Sequence, residues 1–131
     1  MQKKYEFTGE VKVSFGITLR RIRRLADGVL GGWLESEDNL SPVSGDAWVY
    51  GHARVYGDAQ VYGDARVSVG YVSDGARVNA PQHVQTYRDR EGALWTVYRT
   101  EVGSRIVRWD QPVEPEDAPE IVRLLAVEVT R

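Results

Sequence analysis

Residues able to do acid–base or metal chemistry are scarce in this chain. Its 131 residues include two histidines and no cysteine, which removes thiol nucleophiles, disulfides and zinc–thiolate sites together. His52 and His83 are the side chains that could act as a general base near neutral pH. Such a base needs a partner that orients its ring, and no carboxylate is identified beside His52. It takes the place held in neighbouring six-residue units by Asp46, Asp58 and Asp64, so it is a weak catalytic candidate and more simply a surface substitution. His83 follows Ala80-Pro81-Gln82 and reads as a turn residue. A catalytic zinc needs three histidines; two are too few in one chain, although subunits of a trimer could pool them. Asp46 and Asp64 could hold a hard cation if they stack, yet corner aspartates more commonly cap turn amides. No metal and no cofactor is called for. The run Arg20-Arg21-Ile22-Arg23-Arg24 could contact phosphates. On a strand Arg20 and Arg24 face one way and Arg21 and Arg23 the other, so a solvated or partner-facing strand explains them as well.

A repeat sets the elements that must carry these side chains. Four hexapeptides follow one another: Gly45-Asp46-Ala47-Trp48-Val49-Tyr50, Gly51-His52-Ala53-Arg54-Val55-Tyr56, Gly57-Asp58-Ala59-Gln60-Val61-Tyr62 and Gly63-Asp64-Ala65-Arg66-Val67-Ser68. A period of six with glycine, alanine and valine at fixed phases is the signature of a parallel β-helix. Alternation along a strand sends Ala47 and Val49 inward and Trp48 and Tyr50 outward, and likewise in the other units. Three rungs close one coil, so residues 18 apart stack. Val49 then lies beneath Val67, Asp46 beneath Asp64 and Trp48 beneath Arg66, about 4.8 Å apart. Tyr50, Tyr56 and Tyr62 fall on three different faces and form no single stacking platform.

After Ser68 the register slips. Val69-Gly70-Tyr71-Val72 is one residue short, and Asp74-Gly75-Ala76-Arg77-Val78 makes a last rung ending at Pro81, which cannot donate to a further ladder. Upstream, Leu34 and Leu40 are again six apart and supply a lead-in rung, with a loop at Ser41–Ser44. About two to three coils result, a short solenoid that needs capping at both ends. Residues 1–29 supply one cap, residues 30–81 the repeat, and residues 82–131 the other. In the first, Val11–Phe15, Gly16 and Ile17–Leu19 read as a β-hairpin, although Leu19, Ile22 and Leu25 also have helical spacing. In the last, Val84–Tyr87 and Leu94–Arg99 flank a turn at Asp89–Gly92, and Arg105–Trp109 adds a strand. Asp117-Ala118-Pro119-Glu120 starts a short helix with Ile121, Leu124 and Leu125 on one side.

Composition narrows the class. Hydrophobic residues make up 42% and charged residues 27%, a folded and soluble balance, and the net charge of −2 argues against nucleic acid or an anionic membrane as a global partner. No apolar run is long enough to span a membrane, and Met1–Glu6 has no secretory character. The absence of cysteine is compatible with a bacterial cytoplasm, or with a particle assembled there. Charge is segregated: Lys3, Lys4, Arg20, Arg21, Arg23 and Arg24 gather near the start, while Asp110, Glu114, Glu116, Asp117, Glu120 and Glu128 gather near the end. The two ends could attract each other within a subunit or between neighbours.

The segment Leu30-Gly31-Gly32-Trp33-Leu34-Glu35-Ser36-Glu37-Asp38-Asn39-Leu40-Ser41, followed by Gly-Asp-Ala-x-Val-Tyr units, resembles a family of small bacterial and prophage hexapeptide-repeat proteins. The resemblance spans about residues 3–95 and is specific in that segment. Thr86-Tyr87-Arg88-Asp89-Arg90-Glu91-Gly92 adds a weaker likeness, and the acidic C-terminus departs from the pattern. It implies a left-handed parallel β-helix, a phage or prophage origin and often a trimer. It implies no reaction. The expectation is therefore a mainly β protein: a short left-handed β-helix with an N-terminal β-hairpin and a C-terminal β-hairpin plus short helix. Its expected role is that of a non-catalytic scaffold, binding itself and a host or phage protein through exposed Trp48, Tyr50, Tyr56, Tyr62 and Tyr71. The alternative is a minimal hexapeptide acyltransferase with His52 as its base.

Overall fold

The computed structural model describes residues 3–41 and 46–130. Most of the expected loop at Ser41–Ser44, and Gly45 of the first hexapeptide, lie outside the described residues. The chain is mainly β with one short C-terminal helix. A long hairpin comes first, β1 (Tyr5–Ser14) and β2 (Ile17–Arg24), then β3 (Leu30–Leu34). Six two-residue strands follow: β4 (Trp48–Val49), β5 (Arg54–Val55), β6 (Gln60–Val61), β7 (Arg66–Val67), β8 (Tyr71–Val72) and β9 (Arg77–Val78). The end comprises β10 (Val84–Arg88), β11 (Leu94–Thr100), β12 (Gly103–Arg108), β13 (Gln111–Pro112) and the helix α1 (Glu120–Glu128).

The short strands pair in parallel, each with the strand three places on. Val49 stands opposite Val67, as the period of six requires. Val55 meets Val72 and Val61 meets Val78, one residue closer in sequence, because the corner around Gly70 is short. Gly70 has a φ of 114°, and a Cβ there would stand 2.8 Å from Thr96 Oγ1, so this corner must be glycine for β11 to approach. Leu34 pairs with Val55, and Leu40 bridges Val61, so the lead-in rung carries two of the three ladders. The aliphatic residues Leu34, Leu40, Val49, Val55, Val61, Val67, Val72 and Val78 are at most 1% exposed, with Ala53, Ala59, Ala65 and Ala76 beside them. Burying each such side chain is worth about 1.5–3 kcal/mol.

The corners are laced between rungs. Glu35 Oε1 accepts from Gly57 N at 2.8 Å, Asp58 Oδ1 from Gly75 N at 2.6 Å, and Asp74 Oδ1 from Asp58 N at 3.4 Å. Acidic side chains here do cap turn amides, but those of the adjacent rung.

The family-like segment has an architectural explanation. Gly31 and Gly32 run so close to the repeat that a Cβ would stand 2.7 Å from Trp48 Cζ2 or from Ala53 O. Ser36 and Asn39 cap a single 3-10 turn, each side chain bonded to the other's end of it. Buried Asn39 then donates to Gly57 O at 3.1 Å and Ala59 O at 2.9 Å, fastening the lead-in to the next rung. Tyr5 Oη reaches Leu40 O at 3.0 Å from the other side.

β2 is a strand despite its helical spacing. The register of β2 shifts against β1 between Phe7 and Val11 and against β3 between Arg21 and Arg23, and among these irregularities Leu19 and Ile22, three apart, both join one core. Leu25 lies beyond it and is half-exposed. At the other end β10–β13 form an antiparallel sheet. β11 is buried on both faces: Leu94 and Tyr98 join the repeat core, whereas Trp95 and Val97 pack with Ile106, Val122 and Val129 beneath α1. Of the side expected to carry Ile121, Leu124 and Leu125, Ile121 and Leu124 are exposed and Leu125 is partly buried, while Val122 faces inward. Pro119 stands at the helix start, where no side chain caps the turn.

Candidate interaction surfaces

The two histidines stand in different settings. His52 is exposed in the turn before β5, and among the described residues it has no hydrogen-bonding carboxylate. His83 is 6% exposed, and its Nδ1 accepts from Asn79 N at 3.1 Å. Burial, and then the charge of Arg99, lower its pKa. Asp46 and Asp64 sit two residues before the paired Trp48 and Arg66, so they occupy equivalent exposed corners on adjacent rungs. No group of three or more potential metal ligands occurs among the described residues.

The expected aromatic faces need correcting. Trp48, Tyr56 and Tyr71 are 2%, 8% and 5% exposed, because the chain's own caps cover the outward phase of the repeat. Trp48 meets Tyr5 edge-on at 6.4 Å and lies under Arg24 at 5.2 Å. Tyr71 is held between Phe15 at 5.8 Å and Trp109 at 6.3 Å. Burial pushes the Tyr56 hydroxyl up to about 12, despite a hydrogen bond with Ser73. Tyr50 and Tyr62 remain more than a third exposed.

The arginine run is also largely spoken for. Arg23 pairs with Glu6 at 2.6 Å, Arg24 with Asp27 at 2.9 Å and Arg21 with Glu10 at 3.3 Å. Arg20 lies over Phe7 at 5.1 Å. None of these ion pairs joins the basic start to the acidic end. Half-exposed pairs of this kind contribute little to stability.

Two features emerge that the sequence did not single out. The first is where apolar surface remains: Val11, Val13 and Phe15 on the hairpin, and Ile121, Leu124 and Val127 on α1, are 46–98% exposed with Val102. The helix set recurs every three residues, and two of its members, Ile121 and Leu124, were placed on one side of the helix from the sequence. The second is a column on the outer face of the β3–β5–β8 ladder, where Trp33, Arg54 and Tyr71 stand in register. Lys12 and Arg21 reach this column from the hairpin, which no repeat phase could have indicated. A shallow hollow of about 190 Å³ between Asp38, Ser41, Gln60, Val61 and Tyr62 completes the surface relief. No helix among the described residues is long and apolar enough to cross a membrane. No protein-family model, curated protein or solved structure matches this chain.

Proposed function

We propose that this protein is a non-catalytic interaction module: a short left-handed parallel β-helix that associates with itself and with a protein partner through its caps. The observation that carries this reading is the exposed row Ile121, Leu124 and Val127 on a helix that lies within an acidic stretch. A counterpart exists in Val11, Val13 and Phe15, which are exposed beside the cations of the hairpin. The patches differ in sequence and are opposite in charge, which favours a head-to-tail contact between copies over an isologous one. A closed ring, such as the trimer implied by the family resemblance, would satisfy every copy. The resemblance also supports a phage or prophage origin and a cytoplasmic setting. Self-association through Trp48, Tyr56 and Tyr71 is set aside because they are already covered.

Light scattering tests this. The wild type is expected to exceed its single-chain mass of 14.8 kDa at low salt. Leu124→Glu with Val127→Glu, and separately Val13→Glu, should each return it to that mass while the circular dichroism stays unchanged. A wild type that stays monomeric up to about 100 μM overturns self-association.

A further inference from the structure

We propose that Lys12, Arg21 and Arg54 form a binding site for a small oxyanion of the phosphate class. Arg54 stands in the ladder between Trp33 and Tyr71. Its guanidinium lies 4.8 Å from the Tyr71 ring centre, its Nη1 donates to the Tyr71 hydroxyl, and its buried Nε has no acceptor. Lys12 Nζ, from β1, lies 4.1 Å from the Trp33 ring centre, and Arg21, from β2, lies 5.8 Å from the same centre. The hairpin thus brings two further cations to the column that holds Arg54.

Counter-charge is short in this cluster, where one exposed carboxylate, Glu10, stands against three cations. Glu10 pairs with Arg21 at 3.3 Å and is more than half exposed, while Lys12 and Arg54 have no carboxylate partner among the described residues. Arg23 and Arg24 on the hairpin and Lys3 just before it each have one, whereas Arg20 lies over the Phe7 ring. Ring faces attract cations, yet the rings and one exposed carboxylate do not neutralise three like charges that are partly withdrawn from water. A phosphate-type anion would, because its several oxygens accept from guanidinium and ammonium donors at once. Lys12 registers the crowding: burial, then the charges of Arg54 and Arg21, lower its pKa. Side chains alternate along β1, so Val11 and Val13 project to the face opposite Lys12. Val13→Glu therefore probes the apolar contact apart from this site, whereas Phe15 adjoins the site through Tyr71.

The test is titration with inorganic phosphate at low ionic strength, followed by calorimetry and by amide chemical shifts. Saturable binding at about millimolar Kd or tighter is expected. Lys12→Gln and Arg54→Gln should each weaken it about tenfold. Arg20→Gln should leave it within about twofold, since Arg20 is a cation over Phe7 outside the cluster. Should Arg54→Gln not fold, Lys12→Gln and its rescue by Lys12→Arg carry the test alone. Lack of saturation, or equal weakening by Arg20→Gln, overturns the proposal. Light scattering in the same titration separates the other source of negative charge. If Lys12→Gln alone abolishes oligomers and phosphate dissociates them, the column holds the acidic end of a second copy, and the small-ligand site is refuted.

Discussion

At the scale of single residues, the side chains that matter most here are polar and buried. Asn39 makes one hydrogen bond within its 3-10 turn and two that join the turn to the next rung, and Asn39→Ala would strand Gly57 O and Ala59 O. A loss of at least about 1–3 kcal/mol is expected, read as a fall in Tm of several degrees. His83 is a second case. Its folded pKa lies below the ordinary value near 6.5, so the unfolded chain binds the proton more readily. The stability it contributes is complete above about pH 7 and declines as pH falls through 6.5 toward the folded value. His83→Gln should flatten the dependence of Tm on pH between about 5 and 7; an unaltered slope would exclude His83 as its source. Neither role was legible in the sequence. Asn39 sat within a recognisable segment and His83 beside a proline, but hydrogen bonds to distant backbone leave no local pattern. The inward valines, by contrast, were legible, because their phase is fixed by the period of six.

At the scale of elements, register decides what a residue can do. Irregular register on both sides of β2 accompanies two inward residues of helix-like spacing, and no periodicity argument separates those readings. The glycine pair of β3 was visible as a motif, while its cause, the closeness of the neighbouring rung, was not. Gly32→Ala places a methyl against Ala53 O, Tyr50 O and Val49 Cγ1, all within 2.8 Å. It should cost about 1–3 kcal/mol or more, since backbone oxygens cannot yield as a side-chain tip can. Gly92→Ala offers the contrast: its φ is 86°, and nothing lies within 4 Å of the added carbon. That change should cost only about 1–2 kcal/mol of backbone strain. Urea denaturation of both variants checks the ordering. For α1, the sequence showed an amphipathic helix but not which stripe would be covered. Val122 and Val129 reach the sheet, and this leaves Leu124 outside.

At the scale of the whole molecule, the layers follow one another as hairpin, repeat, sheet and helix. Each cap hides the repeat surface next to it and carries fresh apolar surface outward. The sequence showed three parts and an uneven charge, but not that the caps would take the aromatic faces for themselves. If the caps are the adhesive parts, salt should weaken assembly, because acidic and basic ends are then brought together. A mass that rises with added salt would point instead to a purely apolar contact. The spacing between stacked residues has a further consequence. It is 21 from Leu34 to Val55, 18 from Val49 to Val67 and 17 from Val55 to Val72, yet each pair remains aligned. The differences arise in the bends, so length is negotiable at bends and forbidden within strands. A foreign peptide spliced into one bend would be displayed without disturbing its neighbours, whereas a single residue added between Arg66 and Val67 would turn the ladder inside out.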